Sequence, residues 1–331
     1  MLVPHDGSWP RAPPVTAIGD SAPSASGGGV FAGAAADNDG DFAVQDWALF
    51  VGISVIWGAS FLLIAESLEA MTPGVVTLGR VGFGALTLGG LRLVRHRGRR
   101  IERGDRWRVA VLAVLWVAVP FSLFPLAQQW INSAVTGLLN GATPVLVALV
   151  SVLFVRTVPR RQQLVGLVLG FGGIVLVSLG SAGEGSSQAR GVLLVLGATV
   201  CYGFAINIAP PLQARYGAVV LMSTVLTVAT VLVIPAALID LGQNRWAPGP
   251  AAALLALGSV GTGLAYWIFS SLVGRVGSIR ASFITYLVPV VSLVLGVWLR
   301  GDVVTGLALV GAPVTIVGAV LASRRTRGGR P

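Results

Sequence analysis

The chain has no lysine, one cysteine and two histidines, and its charges are few: 23 arginines and 13 acidic residues in 331 positions. Each shortage excludes a class of function. Cys201 stands alone inside an apolar run, which rules out an intramolecular disulfide framework or a thiolate metal cluster. His5 and His96 lie far apart, one near the start and one in an arginine-rich stretch, so no metal site can be assembled around them. Within the cores of the long apolar runs the only His, Asp or Glu is Glu66, at the end of the first. That leaves no base for serine chemistry, no aspartate pair for proteolysis and no aspartate cluster for magnesium. The glycine-rich start is not a phosphate loop, since it lacks the lysine and the strand–helix context. No catalytic residue, metal or cofactor is expected, and the chain does not read as an enzyme.

What is present is apolar. Residues of the strictly hydrophobic set make up 54%, charged residues only 11%, and the mean hydropathy is +0.82. A soluble domain carries roughly a quarter charged residues, so this surface suits lipid rather than water. The 44 glycines fit, because small residues let membrane helices approach closely. The net charge of +10 is no nucleic-acid footprint, as its arginines occupy short gaps between apolar runs instead of one folded basic face.

Residues 1–45 are rich in Gly, Ala, Ser, Pro and Asp with no sustained apolar run, and read as a disordered tail rather than a signal peptide. Helices are then predicted near 46–67, 73–94, 107–129, 132–155, 161–180, 189–209, 217–239, 250–272, 277–299 and 303–322. Each is about 20 residues long, the length that crosses a hydrocarbon core. With the N-terminus inside, the inner segments hold 18 arginines, including Arg92–Arg108 between the second and third helices, and the outer ones only Arg190, Arg245 and Arg300. Cytoplasmic positive charge of this kind places both termini, including a basic 324–331 tail, inside a multi-pass protein of the cell (inner or plasma) membrane. Trp47, Trp107, Trp130, Trp246 and Trp298 fall near helix ends, where an interfacial belt belongs.

Shifted by 145 residues, the chain matches itself. Leu49, Gly52, Val55 and Gly58 meet Leu194, Gly197, Val200 and Gly203; Ser133, Pro144 and Val145 meet Ser278, Pro289 and Val290; Gly166, Gly173, Val175, Leu176 and Ser178 meet Gly311, Gly318, Val320, Leu321 and Ser323. A five-helix unit repeated after an odd number of crossings is inverted. The expected fold is therefore all-α integral membrane: ten transmembrane helices as two inverted five-helix repeats, 46–180 and 189–323, around a central cavity. Alternating-access carriers are built this way, with the substrate near the midplane.

Polar residues at depth are the candidate pathway. Arg80, seven residues past Pro73, costs at least about 2.5–3.5 kcal/mol at mid-membrane and should face the bundle interior. It suits an anionic group, or equally a structural bond to backbone carbonyls. Trp57, Ser60, Asn140, Tyr202, Asn207, Tyr266 and Tyr286 are the other candidates, with Thr143, Trp267, Ser282 and Thr285 beside them; each has the alternative of an interhelical hydrogen bond. Pro144 and Pro289, at matching positions, each remove a backbone donor and are expected to bend their helices. Glu66 and Glu69 are the acidic candidates near the first helix. Gly137-x-x-x-Gly141 and Gly166-x-x-x-Gly170 read as close-packing motifs.

The run Trp57-Gly58-Ala59-Ser60-Phe61, followed by Pro73 and Arg80, resembles the EamA family of the drug/metabolite transporter superfamily. So does Arg280-Ala-Ser-Phe-Ile-Thr-Tyr-Leu-Val-Pro289 before the Gly-x-Val-Leu close of the last helix. The resemblance covers about 46–323. It implies a ten-helix bundle moving small polar metabolites such as amino acids or related compounds, often outward, with Trp57, Arg80 and Pro289 at shared positions. The chain departs where that family commonly has a glutamate, reading Val155-Arg156 and Arg300-Gly301-Asp302. Expected partners are membrane lipids, a small-molecule substrate and, as an option left open, a second copy in a homodimer; nucleic acid is not among them. A membrane enzyme on a lipid-linked substrate and a non-transporting scaffold are the competing readings.

Overall fold

A computed structural model of the chain describes residues 43–95, 100–154, 161–182, 186–239 and 241–323. Most of the N-terminal tail, the C-terminal tail from 324, and Val155 and Arg156 lie outside the described residues. Among the described residues every regular element is helical. Eight helices are long and apolar enough to cross a membrane: α1 (Val44–Leu68), α2 (Pro73–Val94), α3 (Arg103–Ala127), α4 (Ser133–Phe154), α5 (Arg161–Gly180), α6 (Gln188–Ile208), α7 (Ala218–Ile239) and α8 (Pro248–Val276). Two shorter apolar helices follow, α9 (Ile284–Arg300) and α10 (Gly306–Leu321). The short helix Pro210–Tyr216 links α6 to α7, and a single turn, Ser278–Ala281, precedes α9. The chain is a multi-pass membrane protein whose exposed apolar side chains, such as Leu86, Val168, Val231 and Leu307, face outward as lipid requires.

The departures from regular helix have local causes. In α3, Ala113–Ala118 is π-helical, with the Val119 N–H bonded to the Val114 carbonyl. Pro120, just beyond, has no N–H for the Trp116 carbonyl, so the ladder slips there. A second π segment, Ser259–Leu264, interrupts α8. The helix α4 is broken at Gly141–Ala142, where Thr143 Oγ1 donates to the Asn140 carbonyl at 2.7 Å. Pro144 is thus the second residue of a fresh helical segment, where its missing donor costs nothing, instead of bending a continuous helix. The span predicted at 277–299 is likewise split at Ser282–Phe283. There the Ser282 carbonyl is taken by Thr285 Oγ1 at 2.8 Å, and Pro289 lies inside the following helix. The last helix begins at Gly306 rather than near 303, because the Thr305 hydroxyl accepts the Ala308 N–H at 3.3 Å as a cap.

Packing relies on small residues. The α5–α10 pair is the closest in the bundle. A Cβ on Gly318 would strike the backbone of Gly170, and one on Gly173 the backbone at Thr315. The Gly166/Gly170 motif is therefore the seat for Gly318, as close packing predicts. Around the bundle axis, α1 packs on α9 and α8, α2 on α7 and α8, and α6 on α3 and α4.

Ion pairs tie the helix ends. Where α1 begins, Asp46 accepts from Arg275 Nε at 2.5 Å and from the Ala43 N–H at 3.1 Å, joining α1 to the end of α8. At the start of α3, the buried Asp105 accepts from Arg215 and from the Tyr216 hydroxyl, both at 2.6 Å, and Arg215 also reaches Glu102 at 2.6 Å. Burial, with the bond to Asp105, raises the Tyr216 phenol above its ordinary pKa. At the opposite end Arg300 pairs with Glu66 at 2.5 Å and Glu69 at 3.1 Å. Gly301, in the left-handed region at φ 68°, reverses the chain so that Asp302 caps α4, accepting from Ser133 Oγ at 2.5 Å and the Ala134 N–H at 2.9 Å. The acidic residue after α9 is thus structural.

Replacing Gly318 with valine should push α5 from α10 and lower the melting temperature of the purified protein sharply, overpacking costing about 1–3 kcal/mol or more against backbone. Gly172→Ala, where a Cβ meets nothing within 4 Å, should leave it within a degree or two.

Candidate functional site

At mid-bundle a cavity of about 130 Å³ lies between α1, α2, α3, α4, α6, α8 and α9. Seven of its fifteen lining residues are aromatic: Trp57, Phe61, Trp116, Phe121, Phe124, Tyr202 and Tyr266. Polar groups are few, namely Ser60, Arg80, Asn140, Thr143 and Thr285, and Ile206, Gly261 and Val288 complete it. A concave apolar site with a handful of oriented polar groups is the usual form of a small-molecule site.

The position of Arg80 follows from glycine and proline. The α2–α8 contact is close because Gly79, Gly84 and Gly258 each lie within a methyl group of the facing helix, Gly258 directly over the Gly79 and Arg80 carbonyls. This brings Thr262, in the π segment of α8, within 3.4 Å of Arg80 Nε. On the other side Pro125 cannot donate to the Phe121 carbonyl, and Thr77 Oγ1, one turn before Arg80, shares its single proton between the Pro73 carbonyl at 2.8 Å and the Phe121 carbonyl at 3.2 Å. Beside this contact between α2 and α3 the Phe121 ring lies 3.8 Å from the guanidinium carbon. Arg80 is 7% exposed, and among the described residues no carboxylate pairs with it.

The rings brace one another. Trp57 meets Tyr266 edge-on with centroids 5.9 Å apart and Phe269 at 5.1 Å; Phe61 and Phe124 form an edge-to-face pair at 5.5 Å, and Tyr202 lies 6.1 Å from Phe124. The Phe61–Phe124 pair lies on the side of the cavity toward the end where α1 finishes. One turn beyond Phe124, Gln128 donates to the Phe61 carbonyl at 3.1 Å. Its amide oxygen is buried without a partner among the described residues. Gln128 and Glu69 line two polar vestibules, of about 240 and 400 Å³, that begin there.

The sequence candidates divide. Trp57, Ser60, Arg80, Asn140, Tyr202 and Tyr266 meet in the cavity, with Thr143 and Thr285. Asn207 and Tyr286 do not. The Asn207 amide donates to the Gly203 carbonyl at 2.8 Å and to the Val147 carbonyl at 3.2 Å, tying α6 to α4. The Tyr286 hydroxyl donates to the Ala319 carbonyl at 3.2 Å, tying α9 to α10. Pro289 packs against Gly141 at the break in α4. Phe61, Trp116, Phe121, Phe124 and Thr262 were not candidates. The offset of 145 residues carries a signal for Phe121 alone, which it pairs with the candidate Tyr266; the partners it gives the others are not candidates.

Comparison with known proteins gives a family. The model of the EamA-like transporter family matches residues 47–179 and again residues 189–324. An uncharacterized transporter of Archaeoglobus fulgidus is 23% identical over 85% of this chain and all of its own length. A protein of Streptantibioticus cattleyicolor named "probable terminal-alkyne amino-acid exporter" is 27% identical over 86% of this chain and 95% of its own. The uncharacterized inner membrane transporter YedA of Escherichia coli strain K12 is 25% identical over 83% and 89%. A solved crystal structure overlays with a TM-score of 0.58 at 19% identity, covering 85% of this chain and 97% of that one, a likeness of fold alone.

Tyr286→Phe and Asn207→Ala each remove a bond between helices outside the cavity. Both should lower thermal stability by about 0.6–1.7 kcal/mol, and neither should change ligand-induced quenching of cavity tryptophan fluorescence.

Proposed function

Because the chain belongs to the EamA-like transporter family, we propose that it is a carrier that moves small polar metabolites, such as amino acids or related compounds, by alternating access, as an exporter. The observation that carries this is the symmetry of the cavity wall. Trp57 and Tyr202, Phe61 and Ile206, Trp116 and Gly261, Phe121 and Tyr266, Asn140 and Thr285, and Thr143 and Val288 all line it, and each pair is separated by the same 145 residues. The π segments, Ala113–Ala118 and Ser259–Leu264, sit one residue from the same offset. The two family matches divide the chain in the same way.

These correspondences favour ten spans arranged as two inverted five-helix halves, 46–180 and 189–323, with α9 and α10 short because the turn Ser278–Ala281 and the cap at Thr305 complete their crossings. In such an arrangement each half can rock against the other about the shared cavity. The arginine excess on the segments where α1 begins favours cytoplasmic termini. The Glu66/Glu69–Arg300 and Asp46–Arg275 pairs then lie at opposite ends, and each must loosen in turn for the cavity to open. The related exporter of Streptantibioticus cattleyicolor supports outward movement of an amino-acid-like compound.

Reconstitution into vesicles with a panel of labelled metabolites tests the reading. At least one small polar solute should cross faster than in empty vesicles, and Arg80→Ala should abolish that flux while still inserting. Folded protein that passes none of the panel would contradict the carrier reading.

A further inference from the structure

The charge inside the cavity bears on the charge of what the cavity holds. A guanidinium has five N–H donors. Among the described residues Arg80 makes one side-chain hydrogen bond, from Nε to Thr262 Oγ1 at 3.4 Å, beyond the normal N–H···O range. The Phe121 face, 3.8 Å away, gives a cation–π contact. That contact is weaker than the penalty for taking such an ion out of water. Arg80 is therefore under-compensated by the protein.

The acids that could serve it are engaged elsewhere. Asp46 holds Arg275, Glu66 and Glu69 hold Arg300, Glu102 and Asp105 hold Arg215, and Asp302 caps α4. Among the described residues none of these reaches the cavity wall. An ammonium group entering the cavity would meet aromatic faces but no carboxylate, and would stand in the field of a like charge. An anion would meet an open guanidinium with the Asn140 amide on the same wall. The loaded site would then be neutral, and moving a neutral site between two membrane faces avoids the cost of a net charge at the midplane.

We infer that the cavity takes organic monoanions, a single carboxylate on an apolar or aromatic body without a compensating ammonium, and that this carboxylate pairs with Arg80. The inference rests on the carrier reading for movement and, within its substrate class, selects the related carboxylates that lack an ammonium over amino acids themselves. Trp57, Phe61, Phe124 and Tyr266 receive the body, and Arg80, under Phe121, receives the charge.

Three probes of one shape decide it: 3-phenylpropionate, phenylalanine and phenethylamine, titrated against the purified full-length protein by tryptophan quenching, which Trp57 and Trp116 report, and by thermal melting. The wild-type protein should bind 3-phenylpropionate at least about tenfold more tightly than either other probe. Arg80→Lys should keep the preference and Arg80→Gln should lose it. Equal or tighter binding of phenylalanine or phenethylamine by the wild type, or no binding of 3-phenylpropionate at millimolar concentration, overturns the inference without any variant having to fold. Flux of the same probes into vesicles separates the two claims. Anion-selective binding without passage leaves the inference standing and contradicts the carrier, whereas passage led by phenethylamine does the reverse.

Discussion

A charge buried at the middle of a membrane has to be answered by something, and much of this bundle is arranged around that requirement. Arg80 sits on a helix pressed against α8 by glycines and against α3 by a proline-freed carbonyl. Among the described residues its guanidinium is met by an aromatic face and one hydroxyl. The protein stabilises the position of the side chain more than its charge. Such a group is costly in a merely structural role, and it is functional where a ligand supplies the missing counter-charge.

The second constraint is the backbone. In lipid an irregular segment survives only where protein or a cavity covers it. The interruptions here satisfy that condition: the π segments of α3 and α8 contribute Trp116 and Gly261 to the cavity, and the breaks in α4 and before α9 stand beside Asn140 and Thr285. Proline is the local cause in α3 and accompanies the breaks before Pro144 and Pro289. Irregularity and site coincide because the freed groups need a covered, partly polar space.

How much of this was legible in the sequence differs by residue. The helices themselves are written in run length, and Arg80 in its isolation within an apolar run. Trp57, Asn140, Tyr202 and Tyr266 stand out as polar or amphipathic groups at depth. Asn207 and Tyr286 stand out equally, yet face neighbouring helices, because composition does not encode rotation about the helix axis. The π segments alter that rotation further, so Phe121 and Trp116 reach the cavity from a helix whose pattern is apolar on every side. The ion pairs were invisible for another reason: Asp46 and Arg275, or Glu66 and Arg300, lie more than two hundred residues apart in sequence, and only the packed bundle brings them together. The buried Asp105 carboxylate, held by Tyr216 and the exposed Arg215, is the same case.

The central claim is one cavity shared by two halves and open to one face at a time. Its most direct measurement is the reactivity of a single cysteine, Asn140→Cys in a Cys201→Ala background, toward a membrane-impermeant maleimide applied to either face of oriented vesicles. Modification from both faces, slowed from both by a transported solute, is the expected result. Modification from one face only, whatever solute is present, would contradict alternating access to this cavity.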